Sequence, residues 1–196
     1  MSDEQLKPAA ADSIGRVLIA DDEEMNRWLF RDLLEAEGHC VLLAEDGAEA
    51  LEKALTQNPG AILLDVAMPK LDGFEVCRRL RLDPRTAHIP ILVVTGLESH
   101  ANRLTGIQAG ANDFLSKPVD NIEIQLRVRN AVYQQQLYNE LQARYQELKD
   151  MAELRESLTS IIEADTAAMS SLMPQPPQTE RTMGGNLMEG DDHGAC

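Results

Sequence analysis

Three acids, one threonine and one lysine follow or close short apolar runs in this chain. Asp21 and Asp22 follow Val17-Leu18-Ile19-Ala20. Asp65 follows Ala61-Ile62-Leu63-Leu64, and Thr95 follows Ile91-Leu92-Val93-Val94. Lys117 follows Asp113-Phe114-Leu115-Ser116 and precedes Pro118. If those runs are parallel strands, the five side chains converge at one sheet edge. Three carboxylates there suit a hard dication such as Mg2+, which takes oxygen ligands in octahedral geometry. A carboxylate can also attack phosphorus and carry it as an aspartyl phosphate. Phosphoryl transfer asks for alignment and for positive charge around the equatorial oxygens. A metal and Lys117 supply that charge, and the Thr95 hydroxyl can donate a hydrogen bond.

Each signal has a plainer reading when taken alone. Asp21-Asp22-Glu23-Glu24 also suits a helix N-terminus, where acids favour the macrodipole. Asp65 alone can open a turn before Pro69, Thr95-Gly96 is a weak signal, and Lys117 can be a surface lysine. Their coincidence at four run ends favours a single site.

The elements that must position these residues alternate from Arg16 onward. Apolar runs lie near 16–20, 40–44, 61–64, 90–94 and 112–115. Segments of helical period lie between them. The first runs from Glu24 to Glu37, with Met25, Leu29 and Leu33 as its stripe and Phe30 and Leu34 widening it. Gly38 stops it. The others run from Gly47 to Gln57, Gly73 to Leu82 and Ser99 to Ala109. Such alternation predicts an α/β fold with a parallel sheet covered on both faces. The commonest small arrangement has strand order 2-1-3-4-5, which opens a crevice beyond the carboxyl ends of its first and third strands. Asp21, Asp22 and Asp65 fall at those ends.

Residues 16 to about 134 resemble a bacterial response-regulator receiver domain. The resemblance rests on Val17-Leu18-Ile19-Ala20-Asp21-Asp22, on Leu64-Asp65-Val66-Ala67-Met68-Pro69 with Asp72-Gly73, and on Val94-Thr95-Gly96. Gly110-Ala111-Asn112-Asp113-Phe114 and Lys117-Pro118 complete it. It implies a flavodoxin-like fold and a phosphoryl group accepted on Asp65 from a histidine kinase or phosphotransfer protein. It also implies Mg2+ held by Asp22, Asp65 and the Ala67 carbonyl, with Asp21 acting through water. Lys117 and Thr95 are expected on the phosphoryl oxygens. Thr95 and Phe114 take the switch positions, whose charge-driven movement remodels the surface of the fourth helix, fifth strand and fifth helix. Phe114 lacks the hydroxyl of the usual tyrosine. Ala67 and Leu97 are apolar and cannot orient water, which implies slow self-dephosphorylation.

After Pro118 the composition changes. From Asp120 to about Leu172 there is neither Pro nor Gly, and helix formers dominate. Leu137, Leu141, Leu148, Met151, Leu158, Ile162, Met169 and Leu172 follow the four-three spacing of a heptad, interrupted by Arg144, Arg155 and Asp165. A stripe of that kind must be buried on something, and a parallel homodimeric coiled coil is the simplest solution. The expected organisation is an arm at 1–14, a receiver domain at 15–134, a coiled-coil helix at 135–173 and a disordered tail at 174–196.

The apolar fraction of 43% allows a buried core. A net charge of −15 suits neither nucleic acid nor an anionic membrane. No run approaches the roughly 20 apolar residues of a membrane span, and Met1 to Ser13 lacks the apolar centre of a secretory signal. Three widely spaced cysteines, Cys40, Cys77 and Cys196, fit a reducing cytoplasm. Burial is expected for Cys40 and Cys77, and packing for Trp28. His39, His88 and His100 lack metal-ligand spacing.

The expected protein is a signalling phospho-acceptor whose only chemistry is its own phosphorylation and dephosphorylation. Its output is expected through the coiled coil, by dimerisation or a partner protein. Two alternatives stand beside this. Glu163 to Pro174 looks like the linker before PP2C-like Ser/Thr phosphatase domains, and a phosphate sink would need no coil.

Overall fold

The computed structural model describes residues 14–96 and 100–172. Leu97, the expected tail at 174–196 and all of the expected arm except Ile14 lie outside the described residues. In chain order the elements are β1 (Arg16–Ala20), α1 (Glu24–Ala36), β2 (Cys40–Ala44), α2 (Gly47–Gln57) and β3 (Ala61–Asp65). They continue with α3 (Gly73–Leu82), β4 (Ile91–Thr95), α4 (His100–Ala109), β5 (Asp113–Ser116) and α5 (Asn121–Leu172).

The strands form one parallel sheet in the order β2-β1-β3-β4-β5, as the alternation predicts. β1, β3 and β4 are buried along almost their whole length because helices cover both faces. Successive residues therefore serve opposite cores. Leu18, Ile62, Leu64, Ile91 and Val93 join Val76, Leu80 and the alanines of α2 on one side. Val17, Ile19, Leu63, Leu92 and Val94 join Phe30, Leu34, Ile124, Val128 and Val132 on the other. Local chemistry sets the helix ends. Asp46 caps α2 by accepting from the Ala48 and Glu49 amides, and Asp72 caps α3 by accepting from Glu75. Gly38 and Gly110 follow α1 and α4 with φ of +88° and +95°, a backbone region where a Cβ is strained.

Only one side of the expected α1 stripe is buried, with Leu33 also packing on the core. Phe30 and Leu34 are buried, whereas Met25 is 83% exposed and Leu29 52% exposed. Both sets have helical spacing, so period alone does not choose between them. Full burial of each large apolar side chain is worth ~1.5–3 kcal/mol, and the sheet claims the set containing Phe30 and Leu34. Trp28, expected to pack, is 46% exposed. Its indole donates to Glu24 and its ring face carries the Arg31 guanidinium 3.9 Å away. Cys77 is buried as expected, but Cys40 is only partly so because β2 is an edge strand.

The chain divides into two compact units, one ending at Gln146 and the other beginning at Glu147. Within the first, the Gln136 side chain donates to the Ile14 carbonyl at 2.6 Å. The Tyr138 ring stacks on His88 with centroids 4.8 Å apart. In the second, the side chains of Met151, Leu158, Ile162 and Met169 are all exposed.

His39 is buried beside β2, and its Nδ1 has no hydrogen-bond partner. Burial pushes its pKa below the ordinary 6.5, with the Gly15 backbone and the Glu37 charge working the other way. The unfolded chain therefore binds the extra proton first. His39 contributes stability that is present above pH 6.5 and declines as pH falls through that value toward the folded-state pKa. Urea unfolding at pH 7.5 and pH 5.5 should show this loss, and His39→Gln should reduce it. An equal loss in both proteins would remove His39 from the account.

Candidate functional site

The site is assembled where four strands end. β1 and β3 are neighbours, with Ala20 level with Leu64, so Asp21 and Asp65 leave the sheet side by side. Asp65 pairs with Val94 across β3 and β4, which sets Thr95 one step further along. Thr95 in turn is level with Ser116, and the Lys117 amide donates to the Thr95 carbonyl at 2.9 Å. Lys117 therefore enters from β5 over the acids. Its Nζ lies 2.9 Å from Asp21 Oδ2 and 2.9 Å from Asp65 Oδ1.

Asp21, Asp22 and Asp65 each present an oxygen, and these lie within 4.8 Å of one another. Asp21 and Asp65 are buried and Asp22 is exposed. A cluster of carboxylate oxygens open to water on one side matches what a hard dication requires. Burial pushes the Asp65 pKa above the ordinary carboxylate value. Lys117 opposes that rise, while the Asp21 charge adds to it. For Lys117 itself, burial favours the neutral amine, but its bonds to Asp65 and Asp21 outweigh burial and raise its pKa. The lysine thus stays charged among the acids.

Several groups that hold this arrangement carry no sequence signal of their own. Asn26, one turn into α1, donates to both Asp21 carboxylate oxygens at 3.2 and 3.1 Å. Arg27 donates to the Asp21 and Asp22 carbonyls at 2.7 and 2.9 Å. The β3–α3 loop is clamped at three points. The Ala67 amide donates to Asp65 Oδ2 at 2.9 Å. Gly73 sits so close that a Cβ there would lie 2.2 Å from the Asp65 carbonyl oxygen. Lys70, held at a φ of +64°, reaches 2.5 Å to Asp46 Oδ2 at the start of α2. The Lys70 ammonium and the amides capped by Asp46 hold that carboxyl below its usual range. Ion pairing between positions 24 apart in sequence cannot be read from local spacing.

Thr95 is buried at the end of β4, and Phe114 is half-buried on β5. The Phe114 ring occupies space that a side chain on α4 would otherwise fill. A Cβ built on Gly106 would meet Phe114 Cε1 at 2.3 Å and Phe74 Cε1 at 2.9 Å. This gives a mid-helix glycine a physical reason that helix propensity alone does not.

Comparison with known proteins agrees with this geometry. Residues 17–129 match the family described as the response regulator receiver domain. Response regulator PleD of Caulobacter vibrioides is 43% identical over 129 residues, covering 66% of this chain and 28% of that protein. Response regulator MprA of Mycobacterium ulcerans is 45% identical over 114 residues, covering 58% of this chain and 48% of that protein. The matched region thus spans half or less of these relatives' length. A putative response regulator from Chloroflexus aurantiacus superposes with a TM-score of 0.58 at 34% identity, over 61% of this chain and 98% of that one. The receiver domain of the Pseudomonas aeruginosa sensor histidine kinase PA1611 gives 0.57 at 30% identity, over 60% of this chain and 97% of that one. That structure has a magnesium ion coordinated in its active-site cleft.

Gly106→Ala sets two effects against each other. Helix propensity favours alanine by up to ~1 kcal/mol, while overpacking against the two rings costs ~1–3 kcal/mol. The overlap should win, and urea unfolding should show a net loss of stability. A more stable variant would mean that the ring yields its place without cost.

Proposed function

This chain belongs to the response regulator receiver domain family, and from that premise we propose that it accepts a phosphoryl group on Asp65 from a histidine kinase or phosphotransfer protein. The carrying observation is the Lys117 ammonium shared between Asp21 and Asp65 at 2.9 Å to each, within a cluster of three acids. A single Asp65 oxygen attacks phosphorus in line. The new bond is P–O, the broken one is P–N of the donor phosphohistidine, and the leaving imidazole keeps the electron pair.

The carboxylate cluster suits Mg2+, with Asp22, Asp65 and the Ala67 carbonyl as ligands and Asp21 acting through water. When bound, that ion neutralises charge on the phosphoryl oxygens and on the acids. The remaining work falls to the chain itself. Arg27 and Asn26 fix the turn that carries Asp21 and Asp22. The Ala67 amide orients Asp65 by bonding its other oxygen. Lys117 supplies positive charge beside the attacking carboxylate, and Thr95 donates to a phosphoryl oxygen once one is present.

Signalling follows from moving that charge. A phosphoryl group on Asp65 redirects Lys117 and Thr95 and changes the space available to Phe114, whose ring is seated against Gly106. The exposed stripe on α5 supports self-association through residues 135–173 as the output, or contact with a partner protein there. A pure phosphate sink would have no use for that stripe. On this reading the protein is a cytoplasmic signalling protein.

Incubation with acetyl phosphate and Mg2+ should label the wild-type protein and leave Asp65→Asn unlabelled with its fold intact by circular dichroism. Asp22→Ala should need more Mg2+ to reach the same labelling. Persistent labelling of Asp65→Asn would refute Asp65 as the acceptor, and an unchanged Mg2+ requirement would remove Asp22 from the ligand set.

A further inference from the structure

The exposed seam on α5 carries a charge pattern that selects one mode of self-association. Met151, Leu158, Ile162 and Met169 share the helical stripe with Arg155 and Asp165. Met151, Leu154, Arg155, Leu158, Thr159 and Ile162 line one shallow concavity on the helix. Leu154 and Ile161 flank the stripe on one side and are 61% and 56% exposed. Ala152, Thr159 and Thr166 flank it on the other. The Thr159 and Thr166 hydroxyls donate to the Arg155 and Ile162 carbonyls at 2.9 and 2.7 Å, so those threonines can enter an apolar flank with their donors satisfied. The far face is polar, with Lys149, Asp150, Glu153, Glu156 and Glu163. Arg155 and Asp165 are the two charges in this seam between Met151 and Met169.

Those two charges cannot pair within one helix. They are ten residues apart, which is about 15 Å of helix rise. A parallel, in-register pair would set Arg155 against the partner's Arg155 and Asp165 against the partner's Asp165. Like charges enclosed in a seam repel, and each also loses hydration. Reversing one helix about a two-fold axis at the level of Ser160 removes both problems. Each layer then joins unlike positions. Met151 meets the partner's Met169, Leu158 meets the partner's Ile162, and Arg155 meets the partner's Asp165. The flanks also agree: Ile161 faces the partner's Ile161, and Leu154 faces the partner's Ala168.

We propose that residues 151–169 pair antiparallel with the same segment of a second copy, with Arg155 opposite the partner's Asp165. This rests on the reading that the α5 seam self-associates, and it replaces the parallel arrangement that heptad spacing alone suggests. The two-fold axis makes the interface self-complementary, as a closed dimer requires.

Sedimentation equilibrium on the full unphosphorylated chain tests it. Arg155→Asp sets acid against acid at both charged layers and should weaken the dimer by about tenfold or more. Adding Asp165→Arg in the same chain restores opposite charges and should return the dissociation constant to within a few-fold of wild type. Both positions are exposed, and circular dichroism checks that helix content is kept. Equal dissociation constants for the single and double variants would overturn the antiparallel register. So would a dimer that ignores both substitutions, and self-association elsewhere on the chain would then stand. A wild-type chain that stays monomeric at all accessible concentrations would remove the self-association reading as well.

Discussion

Two buried carboxylates sharing one ammonium are the constraint on which the rest of the site depends. Asp21 and Asp65 lie side by side with little water, and like charges at that separation are costly in a medium of low dielectric. Lys117 offsets the repulsion by bonding to both. That bond requires β5 to end within reach of β1 and β3 although β5 lies two strands away from β3. The register from Asp65 through Val94 and Thr95 to Ser116 makes the reach possible. The sheet order is thus tied to the charge balance at its edge.

The arrangement is balanced without being spent. Lys117 compensates part of the negative charge of three acids, which leaves the cluster attractive to a dication. The clamps around it resist a different movement. Gly73 packs against the Asp65 carbonyl, and Lys70 ties the β3–α3 loop to the cap of α2. A loop held in this way keeps the Ala67 amide on Asp65 Oδ2, while Oδ1 is held by the Lys117 ammonium.

Much of this was legible in the sequence because it obeys local rules. Apolar runs of four or five residues with an acid, threonine or lysine behind them place chemistry at strand ends, and the alternation with helices leaves few sheet orders open. The strand and helix spans observed differ from those expected by only a residue or so at their ends. What was not legible depends on partners distant in the chain. The α1 stripe is broad in the sequence, and only the sheet decided that its Phe30 and Leu34 side would be buried and its Met25 and Leu29 side left exposed. The hydrogen bonds of Asn26 to Asp21 and the fit of Phe114 against Gly106 have no spacing that announces them.

The rule that governs Asp65 also bears on α5. A heptad stripe says that a helix must be covered, but leucine and methionine pack against their like in either direction, so they do not fix orientation. Charges do, because an enclosed carboxylate is stabilised by a cation beside it and repelled by a second carboxylate that no cation offsets. At the sheet edge the cation comes from the same chain, through Lys117. On the α5 seam Arg155 and Asp165 are separated by almost three turns, so in the proposed pairing each takes its counter-charge from the second copy. The residues that interrupt the apolar stripe, which weaken it as a simple zipper, are therefore the ones on which the proposed direction rests.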